Sequence, residues 1–178
     1  MFTDPVKNLK QFGLREDMIV ADLGAGTGFY SIAAAQIVGR GKVYAIEVIK
    51  DYIITIKNKA KELRLNNIEC FWGDVEKIGG TKIRDGIVDA VIASNILFQV
   101  EDRDKFIAEI KRILKPGGRV LFIDWADSPI GIGSGTNKEK IITKEKALEI
   151  FLKKGLIFER DIDAGEHHYG MILLNKNI

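Results

Sequence analysis

The sequence predicts an α/β fold: a doubly wound sheet of seven strands, mostly parallel, with one antiparallel strand supplied by a C-terminal hairpin. Three observations predict it. Short apolar runs alternate with helical stretches through most of the chain, the pattern of a parallel sheet with right-handed crossovers. The first apolar run enters a glycine-rich turn that opens a helix. The last two strand-like runs are separated by Gly165-Glu166-His167-His168, too short for a crossover, so one strand must run antiparallel.

Each element follows from local chemistry. Thr3-Asp4-Pro5 starts a helix, with a capping residue before a proline at the first helical position; it carries Val6, Leu9 and Phe12, and Gly13 ends it. Met18 to Leu23 is apolar except for Asp22, as suits a strand covered on both faces. Ser31 to Val38 is helical in composition. Lys42 to Val48 is the second strand, Lys50 to Leu65 a helix, and Ile68 to Trp72 the third strand. A polar stretch to Gly86 leads into the fourth strand, Val88 to Ala93. Asp102 to Leu114 is a helix with Phe106, Ile107, Ile110 and Ile113 on one face. Lys115-Pro116-Gly117-Gly118 reads as a turn, and the fifth strand runs from Arg119 to about Asp124-Trp125. Residues 126–142, with Pro129, three glycines and two serines, read as a loop. Thr143 caps a helix through Lys154, Gly155 stops it, and Leu156–Ala164 and Tyr169–Leu174 form the hairpin strands.

The 178 residues suffice for one domain spanning 1–178 with a sizeable core. A net charge of +2 gives no strong field for nucleic acid or an anionic membrane, although it does not exclude RNA. Apolar runs stay below the roughly 18 residues of a membrane span. The first residues lack a basic region followed by an apolar one, so no signal peptide is expected. The single cysteine, Cys70, lies in the third strand and reads as a buried small hydrophobe; a cytoplasmic location is the resulting expectation. His167-His168 is an adjacent pair that a strand would point to opposite faces, and no metal-ligand spacing is recognised, so no metal is expected.

The turn Asp22-Leu23-Gly24-Ala25-Gly26-Thr27-Gly28 carries the chemistry. Glycines let a ligand reach the backbone, and the helix start that follows adds unpaired N–H groups. The dinucleotide fingerprint is G-x-G-x-x-G. Here the third glycine falls one position early, and Phe29 stands where that pattern has glycine. The turn resembles the first motif of the class I S-adenosylmethionine-dependent methyltransferases, whose fold is Rossmann-like. Glu47 at the end of the second strand, Gly73-Asp74 after the third, Val88-Asp89-Ala90-Val91 to Asn95 at the fourth, and Leu114-Lys115-Pro116-Gly117-Gly118-Arg119-Val120-Leu121 match further motifs in order. The last run is similar to the type 11 branch that includes ubiquinone and menaquinone biosynthesis methyltransferases.

The resemblance implies a cofactor, S-adenosylmethionine, and a cofactor site of Asp22, Gly24, Gly26, Gly28, Glu47, Asp74, Val75 and Asn95. It implies that Glu47 accepts the ribose hydroxyls, that Asp74 accepts from the adenine amino group beside the Val75 amide, and that Asp22 orders the turn or meets the cofactor's ammonium. Methyl transfer from a sulfonium needs mainly orientation, and a general base only for weakly acidic acceptors. The family accordingly has no universal catalytic residue.

The expected acceptor is a small molecule. A macromolecular acceptor, protein or RNA, is the alternative, because little chain remains for a lid. A nicotinamide oxidoreductase and a non-catalytic scaffold are weaker readings. Ser94-Asn95-Ile96-Leu97 lacks the Pro-Pro-aromatic pattern of amino methyltransferases acting on adenine or glutamine, and a mid-strand Cys70 does not suit attack on cytosine. Ligands of parallel sheets bind beyond the carboxyl ends of the strands. That edge collects Asn95, Asp124, Trp125, Glu166, His167 and His168 as acceptor-side residues. One of the two histidines is expected to line the pocket and take a proton, because imidazole titrates near neutral pH.

Overall fold

The computed structural model describes residues 3–126 and 141–176. Most of the 126–142 loop, including Pro129, lies outside the described residues. In chain order the elements are α1 (Pro5–Phe12), β1 (Ile19–Leu23), α2 (Phe29–Ile37), β2 (Lys42–Glu47), α3 (Lys50–Glu62), β3 (Ile68–Trp72), β4 (Val88–Ser94), α4 (Arg103–Ile113), β5 (Leu114–Trp125), α5 (Lys144–Lys153), β6 (Ile157–Ile162) and β7 (His168–Leu174). The strands lie in the order β3-β2-β1-β4-β5-β7-β6. β7 is antiparallel to both neighbours and the remaining pairs are parallel, as the hairpin required.

Strand alternation divides the core. Ala21, Leu23, Val91, Ala93, Val120 and Phe122 face α4 and α5, where Phe106, Ile107, Ile110 and Phe151 meet them. Val20, Ile92, Leu121 and Ile123 face α1 and α2, against Leu9, Phe12, Tyr30 and Ala34. α1 is built as its sequence predicts. Asp4 caps it by accepting the Lys7 N–H, and left-handed Gly13 closes it onto Leu9 and Lys10 carbonyls. Its place is fixed from two sides. Asn8, fully buried, donates through Nδ2 to the Tyr30 hydroxyl of α2 at 2.9 Å. Gln11 exchanges two hydrogen bonds with the Asp163 backbone at the end of β6.

Two expectations are corrected. The Lys115–Gly118 turn lies inside β5: Val88 pairs with Leu114 and Ala90 with Arg119, so the intervening residues bulge out of the ladder without ending it. Gly118 makes that bulge possible, since a Cβ there would sit 2.8 Å from Leu114 Cδ2 and 2.9 Å from the Lys115 carbonyl oxygen. Cys70 is half-buried, because β3 is an edge strand.

Candidate active site

The site is assembled from the carboxyl ends of β1 to β4. After β1 the chain turns through Gly24, Gly26 and Gly28, all with positive φ (+70°, +54° and +86°), a region open chiefly to glycine. The three absences of a side chain serve different ends. A Cβ on Gly24 would lie 2.4 Å from Ile96 Cδ1, so the turn is packed against the segment after β4. A Cβ on Gly28 would lie 2.7 Å from Ile56 Cγ1, so this glycine seats α2 against α3. A Cβ on Gly26 would meet nothing within 4 Å, and Gly26 lines the cleft: its missing side chain leaves room for a ligand.

Glu47 ends β2 and is 6% exposed. Its Oε2 accepts the Gly26 N–H at 2.8 Å, and its Oε1 accepts the N–H groups of Val48 and Ile49 at 2.8 and 2.9 Å. A carboxylate oxygen has two lone pairs, so Oε2 keeps one acceptor position while Oε1 is used by its own chain. Asp74, past β3, accepts the Glu76 N–H through Oδ1 at 3.0 Å and pairs with Lys77 through Oδ2 at 3.0 Å. These bonds hold its carboxyl below the ordinary carboxylate range, so it stays an ionised acceptor.

Between these groups lies a cleft of about 460 Å³, a size typical of small-molecule sites. Gly24, Gly26, Glu47, Asp74 and Val75, all named from the sequence, line it. Ile96, Gln99, Val100, Tyr52 and Glu76 line it as well and escaped sequence reading. Its apolar walls and carboxylates suit a ligand carrying an aromatic ring and hydroxyl groups.

The other expected residues stand elsewhere. Asp22 points to the α1–α2 face and accepts the Ser31 hydroxyl at 2.6 Å, tying β1 to α2. Burial raises its carboxyl to about 7. The Ser31 bond fixes the end of β1 against the first turn of α2. Asn95 has φ +53°, donates its N–H to the Ile123 carbonyl and accepts Gln99 Nε2 at its own carbonyl, bracing the segment that carries Ile96 to Val100. Neither Asp22, Gly28 nor Asn95 is among the described residues lining the cleft.

The acceptor-side set is split by the pleat of the sheet. Trp125 and His168 are opposite one another on β5 and β7, their rings 4.0 Å apart, and His168 is buried. Asp124 and Tyr169 form the preceding pair on the opposite face. Burial pushes the Asp124 carboxyl up to about 6. His167 is half-buried and Glu166 exposed on the turn before β7. The turn lies at the carboxyl edge, as expected, but these residues do not line the cofactor-sized cleft among the described residues. Among the described residues no cluster of three or more potential metal ligands occurs, and no helix is long and apolar enough to cross a membrane.

A parallel sheet in this order with a terminal antiparallel strand, and a glycine turn facing an acidic strand end, define a Rossmann-like methyltransferase fold. Residues 14–157 match the family described as methyltransferase domain, and the chain belongs to it, as a class I S-adenosylmethionine-dependent methyltransferase of the type 11 kind. A solved structure of a SAM-dependent methyltransferase from Aquifex aeolicus superimposes with a TM-score of 0.86 at 30% identity, covering 97% of this chain and 90% of that one. The ubiquinone/menaquinone biosynthesis C-methyltransferase of Haemophilus ducreyi is 31% identical over 116 residues, 64% of this chain and 44% of that protein. An arsenite methyltransferase from Aquipseudomonas alcaligenes is 27% identical over 110 residues, 59% of this chain and 32% of that protein. The chain therefore spans less than half the length of either curated relative.

Proposed function

We propose that residues 1–178 act as one cytoplasmic domain that transfers a methyl group from S-adenosylmethionine to a small-molecule acceptor. The observation that carries this reading is the convergence of Gly26, Glu47 and Asp74 on one cleft. The site fits the cofactor: Gly26 leaves open space where a side chain would stand, Glu47 keeps an acceptor position, and Asp74 is ionised. When bound, S-adenosylmethionine supplies a methyl group activated on a sulfonium. Glu47 would accept from the ribose, Asp74 and the Val75 amide would read the adenine edge, and Gly26 would allow close backbone approach, with Gly24 packed on Ile96 beside it. Asp22 holds the turn from behind through Ser31.

On the acceptor side stands the tilted ring pair Trp125 and His168, with Asn95, Asp124, Glu166 and His167 nearby at the same sheet edge. His168 would orient an acceptor against Trp125 or hold its proton. The small-molecule class is supported by the relatives, whose names refer to a quinone pathway and to arsenite. Calorimetric titration with S-adenosylmethionine and with NAD tests the cofactor; binding of NAD instead of S-adenosylmethionine overturns the reading. A screen of small molecules, protein and RNA with methyl-labelled cofactor then tests the acceptor class.

A further inference from the structure

In the sheet, β3 and β4 are not neighbours: β2 and β1 lie between them. Three strand spacings, roughly 14 Å, separate their axes. The segments that follow them nevertheless meet. Glu76, two residues past Asp74, sends its Oε1 to the backbone N–H groups of Glu101 and Asp102, the latter at 2.7 Å. Asp102 is the N-cap of α4, so this one oxygen receives two donors that the helix start and the residue before it leave unpaired. The same chain segment is fastened again further along. Gly79 and Thr81 donate their N–H groups to Glu109 of α4, a fully buried carboxylate. The segment after β3 therefore packs on the α4 side of the sheet, where Ile83 joins the core, and is bolted to α4 twice.

Both joined segments line the cleft, Gly73 to Glu76 on one side and Ile96, Gln99 and Val100 on the other. We propose that Glu76 is a positioning residue of the cofactor cleft: its carboxylate bridges the two segments across the cleft and sets the separation of Asp74 and Val75 from Ile96 and Val100. The proposal rests on the cleft being the S-adenosylmethionine site. It assigns Glu76 no contact with the methyl group. Its work is done through one acceptor oxygen, so a neutral side chain of the same length with a carbonyl oxygen replaces it, whereas a shorter carboxylate does not reach.

The test is titration calorimetry of the full chain with S-adenosylhomocysteine, comparing Glu76→Ala, Glu76→Asp and Glu76→Gln with the parent. The expected result is affinity lowered about tenfold in the Ala and Asp variants and restored in the Gln variant. Amide exchange supplies a second readout: the ligand slows exchange at Glu101 and Asp102 in the parent and in Glu76→Gln, but not in Glu76→Asp. Parent-like affinity in the Ala and Asp variants overturns the proposal. So does equal weakening in Ala and Gln, which would make charge, and not the bridge, the operative property. Should Glu76→Ala fail to fold, the Asp and Gln pair decides alone. A parent chain that binds no S-adenosylhomocysteine refutes the cofactor reading itself and this proposal with it, an outcome distinct from binding that ignores Glu76.

Discussion

Glu47 Oε2 accepts the backbone N–H of Gly26 at 2.8 Å, so the acidic end of β2 holds the turn that ends β1. The residue expected to grip the ribose also shapes the glycine turn. Glu47→Ala should weaken S-adenosylmethionine and S-adenosylhomocysteine to a similar degree, by about 1.5–3 kcal/mol, because the ribose is common to both. Glu47→Gln retains an acceptor and should lose less. Calorimetry checks both, and unchanged affinity in the Ala variant removes Glu47 from the site.

Gly26→Val should give a folded chain that has lost cofactor binding. A branched side chain there enters the cleft and must adopt a φ of +54°, a strain of about 1–2 kcal/mol. A thermal melt reports the strain and titration reports the binding. Normal binding in this variant would refute the assignment of the turn.

Asp22 predicts a pH dependence of stability. The folded chain keeps its carboxyl protonated up to about 7, whereas the unfolded chain releases that proton near pH 4. Between those values the folded state binds more protons, so stability falls as pH rises from about 4 to about 7 and levels off above. At about 1.4 kcal/mol per pH unit the loss is at most about 4 kcal/mol. Asp124, raised to about 6, adds to the slope in the same direction. Urea unfolding at stepped pH should show the slope in the parent and a shallower one in Asp22→Asn.

Glu109 is the structural counterpart. Burial opposes its charge, but Arg112, Thr81 and Gly79 together pull the carboxyl down to about 2. Glu109→Ala leaves the Gly79 and Thr81 donors and the Arg112 guanidinium without this partner, and should cost about 3–5 kcal/mol in urea unfolding.

His168→Ala should leave cofactor affinity nearly intact and lower turnover once an acceptor is known. A cofactor-bound structure with the His168 imidazole remote from the methyl group would remove it from the acceptor side.

Much of this site was legible because strand ends carry it. Gly26, Glu47, Asp74 and Val75 each follow an apolar run, and a parallel sheet gathers such ends along one edge. Asp22 was legible as part of the motif but not in its direction: strand alternation turns it away from the cleft, towards Ser31. The β5 bulge was hidden because Lys-Pro-Gly-Gly has the chemistry of a turn whether or not a ladder continues past it. Ile96 gave no local signal, since its place in the cleft depends on packing against Gly24, and Gln99 and Val100 enter the cleft on the same segment. Glu76 gave none either, because its partners, Glu101 and Asp102, stand far along the chain just ahead of α4.

The contact of Gly24 with Ile96 bears on the order in which the protein matures. A chain still being synthesised, with β1 to β3 already made, possesses the glycine turn, Glu47 and Asp74, yet it has neither the far wall of the cleft nor the strand that flanks β1 on that side. On the proposed reading such a fragment should not hold the cofactor until β4 inserts beside β1. Ligand added to refolding protein should accordingly stabilise the finished state and leave early collapse untouched.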